Sequence, residues 1–191
     1  MRPVVQADGV SLRNAGAETI PVDVLFENHA GRIGFKVVHG LHDSVKIGFG
    51  QLSGSVNELR GKLAEELTEM GLYREESRAM IETWRDSWFE EGLRVFYIVP
   101  RPKVDQLLPI SIQPLPEQLA RVFVGRVELL SPPMRSEIGA ALKSGDTAVL
   151  KKYGRFLDAF LHEMRGEPME PAGPAVVERV GPAGCGGIDT L

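Results

Sequence analysis

The sequence predicts a globular α+β protein, because segments with the periodicity of strands and of helices occupy separate parts of the chain. Short β-branched and aromatic runs fill the first fifty residues, and apolar residues recur every three or four positions from Ser55 onward. The 191 residues are 43% hydrophobic and 25% charged, which suits one sizeable core. In chain order we expect an N-terminal antiparallel β segment, a helical hairpin, a three-stranded antiparallel β segment and a C-terminal helical pair.

Composition divides the chain into three parts. Residues 1–50 form a β-rich, partly sandwich-like segment, and residues 51–166 carry the pattern of an α+β core. Residues 167–191 consist mainly of Pro, Gly, Glu and Ala, a composition that buries little apolar surface. We expect this last part to be a disordered tail.

Four strands are expected in the N-terminal segment, because short apolar runs alternate with polar residues and are separated by turn residues. They cover residues 10–13, 20–26, 32–38 and 44–49. Four strands leave open sheet edges, which the rest of the chain or a segment upstream of Met1 would have to cover.

Two helices follow and should pack as an antiparallel hairpin. The first begins at Ser55, with Glu58 completing a capping box, and ends at Gly71. The second is expected from about residue 74 to residue 91, ending at Gly92. The short connection through residues 71–73 favours the hairpin geometry.

The remaining chain predicts three strands and two helices. The strands are expected at residues 93–99, 107–113 and 120–130, with Gly125 indicating a bulge or a close backbone approach. The segment Pro114-Leu115-Pro116 should be an exposed connector. The helices are expected from Ser131 to about residue 144 and from Asp146 to about residue 166.

Charge and hydropathy limit the partners of the protein. The net charge of −4 gives no general attraction to nucleic acid or to an anionic membrane. No apolar run is long enough to span a bilayer. The first ten residues lack the apolar core of a secretory signal, so a periplasmic or envelope location would need a natural start upstream of Met1. The compartment and the oligomeric state stay open.

The second expected helix carries a carboxylate stripe of Glu82, Asp86 and Glu90, spaced every four residues. Like charges at this spacing repel, so arginines such as Arg126 are expected to pair with them in a structural ion network. The alternative is a catalytic acid–base pair, or carboxylates that hold a divalent cation.

Trp84 and Trp88 are expected in the core, because two tryptophans one turn apart bury a large apolar area. The alternative is a stacking platform for a glycan or a base. His39 and His42 lie three positions apart, but a zinc site needs three or four ligands and no cysteine lies nearby. We therefore expect neither a metal nor a cofactor.

Two resemblances accompany these patterns. Residues 71–101, GLYREESRAMIETWRDSWFEEGLRVFYIVPR, resemble a family of uncharacterised bacterial proteins that share the segment TWxxSWFEEGxRVFYIVPR. This resemblance implies a shared fold unit and no catalytic residues. Residues 12–16, with the strands after them, resemble immunoglobulin-like β-sandwich modules of bacterial envelope proteins.

These observations favour a non-enzymatic interaction or accessory domain of a bacterial, envelope-associated system, with a protein partner and without nucleic acid. The first alternative is a hydrolase or metal-dependent enzyme that uses Glu82, Asp86 or Glu90 together with Arg126. The second is a small-ligand or glycan binder with Trp84 or Trp88 in its pocket.

Overall fold

The computed structural model describes residues 1–166 and confirms the α+β class. These residues form seven strands in two antiparallel sheets and seven α-helices. The strands are β1 (Arg2–Gln6), β2 (Gly9–Arg13), β3 (Ile20–His29), β4 (Arg32–Leu41), β5 (Ser44–Gly48), β6 (Gly92–Ile98) and β7 (Val124–Leu129). The helices are α1 (Val56–Glu69), α2 (Arg74–Thr83), α3 (Arg85–Trp88), α4 (Arg101–Leu107), α5 (Pro132–Ser144), α6 (Thr147–Lys152) and α7 (Leu157–Arg165). The expected disordered tail lies outside the described residues.

The four strands expected in the N-terminal segment are confirmed as β2, β3, β4 and β5, and β1 adds a fifth. Strands β1, β2 and β5 form one sheet, in that order. The larger sheet has the order β4-β3-β6-β7. Strand β3 therefore pairs with β4 on one side and with β6 on the other. The segments before and after residue 50 contribute strands to the same sheet.

The helical hairpin is confirmed and covers one face of the larger sheet. The Ser55 side chain accepts a hydrogen bond from the Glu58 amide, and Glu58 bonds back to the Ser55 amide at 2.7 Å. Gly71 takes a positive φ of 104° after α1. Leucines of α1 pack on β3 and β6 in the hairpin-side core, which contains Val22, Val24, Phe26, Leu59, Leu63, Leu67, Ile81, Trp88, Phe89, Phe96 and Ile98.

The other face of the larger sheet is covered by the three-stranded sheet and the C-terminal helices. Alternation along β3 points Leu25 to this side and its neighbours Val24 and Phe26 to the hairpin. This second core contains Val10, Leu12, Ile20, Leu25, Leu41, Ile47, Leu93, Val95, Leu129, Leu130, Met134, Ile138, Tyr153 and Phe160. The larger sheet is thus the middle layer of three.

The expected three-stranded β segment is wrong in its middle strand. Helix α4 ends at Leu107, and residues 108–123 form neither helix nor strand before β7 begins at Val124. Pro102 stands in the first turn of α4, where its missing N–H costs no helical hydrogen bond. The prolines near residue 100 therefore start a helix.

The two long helices expected at residues 74–91 and after Asp146 are each interrupted. Helix α2 ends at Thr83 and the single turn of α3 follows from Arg85. After Asp146 the chain forms α6, a short 3-10 turn over Gly154–Phe156, and then α7. The second interruption contributes Gly154, Arg155 and Phe156 to the lining of the cavity described next.

Candidate functional site

Arg94 of β6 fixes the backbone of the WFEEG segment, residues 88–92. Its guanidinium is fully buried and lies 3.0 Å from the carboxylate of Glu128 on β7. It also donates hydrogen bonds of 2.7 Å to the carbonyls of Trp88 and Glu90, and of 3.0 Å to that of Glu91. Burial lowers the pKa of Arg94, and Glu128 acts against that shift. One side chain thus satisfies the carbonyls that the end of α3 leaves unpaired.

Arg126 of β7 joins the same network from the outer side. Its guanidinium lies 2.6 Å from the carboxylate of Glu90, and it also bonds Glu128 and the carbonyl of Ser87. Burial opposes the charge of Arg126, but the hydrogen bonds to Glu128 and Glu90 outweigh it and raise its pKa. Two glutamates and two arginines therefore hold the WFEEG segment against the sheet.

A cavity of about 450 Å³ opens beside this network, where the end of β3, the WFEEG segment and helices α5–α7 meet. Its apolar wall is formed by Met134, Tyr153, Phe156 and Phe160. Charged side chains from several elements line the rest. The volume lies within the range of ligand-binding pockets.

The polar side of the cavity centres on Lys152, at the end of α6. Its ammonium group lies 2.8 Å from Glu91 and 3.2 Å from Glu137 of α5. His29 Nδ1 lies 3.2 Å from Glu91 Oε1, the oxygen that Lys152 also contacts. The hydroxyl of Tyr153 donates to Glu137. These contacts tie β3, the WFEEG segment, α5 and α6 together.

The protonation states of these groups follow from their neighbours. Partial burial disfavours the Glu91 carboxylate, but the hydrogen bond and charge of Lys152, the Ala30 amide and His29 together outweigh burial, and the pKa falls below its usual value. The Tyr153 hydroxyl lowers the pKa of Glu137, with help from Lys152. Burial and Glu137 raise the pKa of Tyr153. Glu91 and Glu137 are therefore ionised at neutral pH, a state that does not suit a general acid.

Of the predicted stripe, only Glu90 lines the cavity, and it pairs with Arg126 of β7. Glu82 lies 2.5 Å from Arg60, also bonds Arg85, and is half exposed. Asp86 is 89% exposed and bonds only its neighbour Arg85 among the described residues. Because α2 ends at Thr83, the three acids do not share one helical face.

The two tryptophans also lie in different environments. Trp88 is buried in the hairpin-side core, with its ring 5.4 Å from that of Phe96. Trp84 is 50% exposed and stands at the junction of α2 and α3. Neither side chain lines the cavity. The expected core position is confirmed for Trp88 and wrong for Trp84.

The histidines are separated as well. His39 lies 2.7 Å from Glu66 of α1, His42 bonds Thr19, and His29 faces Glu91. Within residues 1–166 no group of three or more His, Cys, Asp or Glu side chains is placed to hold a metal ion. No helix in this part of the chain is long and apolar enough to cross a bilayer.

Sequence reasoning missed most of the cavity. Lys152, Tyr153 and Arg155 come from a region predicted as one uniform helix, and no sequence pattern singled out Glu137. The nearest available signal was Gly154, which interrupts the helical pattern directly after Lys152 and Tyr153. Comparison with known proteins adds no further residue: no family model, curated protein or solved structure matches this chain.

Proposed function

We propose that the chain is a non-enzymatic interaction domain that binds a partner protein through its apolar connector, residues 107–123. The observation that carries this proposal is where apolar surface is exposed. Six of the eleven exposed large apolar side chains among the described residues lie in this connector. They are Leu107, Leu108, Ile110, Leu115, Leu119 and Phe123.

Both the length and the exposure of the connector support a binding role. Loops of more than about 12–15 residues without secondary structure are uncommon in compact domains and are usually functional. Each of the six side chains is at least 40% exposed, and Leu115 reaches 85%. Concentrated apolar exposure of this kind marks contact surfaces. Glu117 and Arg121 are the only charged residues in the connector, so the fitting partner surface is an apolar groove with little charge.

An ion-pair network holds the base of the connector in place. Asp105 of α4 lies 2.8 Å from both Arg101 and Arg121. Arg101 also donates a 2.9 Å hydrogen bond to the carbonyl of Leu119, and Arg121 donates to the carbonyl of Leu108. The arginines lower the pKa of Asp105, so the network is charged at neutral pH. A connector that is already ordered loses less entropy on binding.

The ion pairs of the three carboxylates in the predicted stripe also support a non-enzymatic role. Glu82 and Asp86 are exposed and paired with arginines, and Glu90 is paired with Arg126. The resemblance of residues 12–16 and the following strands to envelope modules supports placing the partner in a bacterial envelope system.

Site-specific photo-crosslinking in the cells that make the protein tests this function. The photoreactive residue p-benzoylphenylalanine replaces Leu115 in one variant and Leu142, an exposed leucine of α5, in the matched control. We expect a discrete adduct with one other protein from position 115 only, lost when Ile110→Ser and Leu119→Ser are added. Equal adducts from both positions, or none from position 115, would refute the proposal. An adduct of twice the chain's mass would replace it with self-association.

A further inference from the structure

The cavity beside the WFEEG segment has the construction of a small-molecule site. Three of its apolar wall residues, Met134, Tyr153 and Phe160, are less than 10% exposed and form a fixed floor. The ring of Phe156 is partly buried at the side. None of the connector residues lines it, so the inference below is independent of the proposed protein contact.

The charges around the cavity are paired with one exception. Each carboxylate has a cation: Glu90 and Glu128 bond Arg126, and Glu91 bonds Lys152. Arg155 also lines the cavity, yet it has no acidic partner among the described residues. Its guanidinium carbon lies 4.8 Å from the centre of the Phe156 ring. A cation–π contact does not use the N–H donors of a guanidinium as an ion pair would, so they stay available to an acceptor.

We infer that this cavity binds a small organic carboxylate, with its acid group on Arg155 and its apolar body against Phe156, Phe160 and Met134. A planar carboxylate matches the fork of a guanidinium. A cationic ligand is disfavoured, because the positive charge of Arg155 would repel it and the acids of the cavity are already paired with other cations. A dianion such as phosphate would add a second charge among Glu90, Glu91 and Glu128, and within residues 1–166 only Arg155 lines the cavity without an acidic partner.

Matched acid and amide pairs test the charge requirement on the full-length chain. The probes are benzoate with benzamide, 3-phenylpropionate with 3-phenylpropanamide, and octanoate with octanamide, with inorganic phosphate as a fourth anion. Amide chemical shifts in NMR spectra report both affinity and place. We expect at least one acid to bind about tenfold more tightly than its amide and to shift Gly92 and Gly154, which line the cavity, but not Gly145.

Arg155→Ala isolates the guanidinium, and Lys151→Ala is its matched control, since Lys151 is an exposed cation of α6 outside the cavity. We expect Arg155→Ala to weaken the acid about ten- to hundredfold, to leave the weak amide binding unchanged, and Lys151→Ala to change neither. Retained amide binding shows that the variant keeps an intact cavity.

Three outcomes overturn the inference. They are binding of every acid weaker than about 10 mM, equal affinity for acid and amide, or equal losses in the two variants. Phosphate binding tighter than that of the carboxylates overturns the ligand class as well.

Discussion

Arg94 and Glu128 face each other across β6 and β7, 3.0 Å apart, with no exposed surface on the Arg94 side chain. The same guanidinium bonds three carbonyls of the WFEEG segment. Removing a buried charge leaves its former partners without a hydrogen bond in a place that water cannot reach. Arg94→Met should therefore lower the free energy of unfolding by about 3–5 kcal/mol, measured by urea denaturation.

Arg135 provides the control for this prediction, because its ion pair with Glu163 is about half exposed on both sides. Arg135→Ala should cost less than about 1 kcal/mol. Similar losses in the two variants would show that the buried network contributes no more than a surface pair.

The strands and the hairpin could be predicted because their signals are local. Alternation reveals a half-buried strand, and Ser55 with Glu58 marks a helix start whatever packs against it. The pairing of β3 with β6 could not be predicted, since the residues that meet, such as Phe26 and Arg94, are far apart in sequence. Periodicity indicates which face of a strand is buried, but it does not indicate which other strand pairs with it.

The site was harder to predict for the same reason. A continuous helix over residues 74–91 would bury Trp84 together with Trp88, yet the chain breaks after Thr83 and exposes Trp84. Arg94, a residue in the following strand, donates hydrogen bonds to the carbonyls of Trp88 and Glu90, where α3 ends. The helical region therefore ends at a contact with another element, which periodicity does not reveal, and the spacing of the acids predicted a stripe that does not form.

At Gly125 the sequence predicted a bulge or a close backbone approach; the structure shows continuous pairing of β6 and β7 through this residue, not a bulge, and a close approach of the Tyr97 ring. Gly125 pairs with Tyr97 across β6 and β7, and the Tyr97 ring lies over it, so that an added Cβ atom would fall 2.3 Å from the ring. Gly125→Ala should cost about 1–3 kcal/mol in thermal or urea unfolding, since the ring must move out of its packed position.

Gly139 gives the opposite expectation from the same substitution. It lies inside α5, where a Cβ atom would meet only the Met164 methyl group at 3.9 Å. Gly139→Ala should raise stability by about 0.5–1 kcal/mol through helix propensity. A loss at Gly139 or a gain at Gly125 would contradict the packing described for these two sites.

Ser55 allows the start of the hairpin to be tested. Its hydroxyl accepts a hydrogen bond from the Glu58 amide, and its own amide donates one to the Glu58 carboxylate. Ser55→Ala should lower the free energy of unfolding by about 1 kcal/mol. Ser136, an exposed serine within α5, is the control, and Ser136→Ala should change stability by less than about 0.5 kcal/mol. An equal effect at both serines would contradict the capping role.

Asp23 makes the stability of the fold depend on pH. It lies in β3 between Val38 of β4 and Tyr97 of β6, with no exposed surface and no hydrogen-bond partner for either carboxylate oxygen within the described residues. The facing charge is the amino group of Met1, which acts weakly against the effect of burial. Burial raises the pKa of Asp23 from 3.8 to about 7.

The sign of the effect follows from proton binding. Between pH 3.8 and about 7 the folded chain keeps a proton on Asp23 that the unfolded chain has released, so stability falls as pH rises through this window. Above pH 7 both states are ionised and the loss, about 4 kcal/mol, is complete. Asp23→Asn keeps the shape and cannot ionise. Urea unfolding of both proteins at several pH values should therefore give a difference that grows in favour of the variant from about pH 4 to 7 and is constant above. Taking this difference cancels the surface carboxylates that titrate in both proteins. A difference independent of pH would mean that Asp23 is not protonated in the fold.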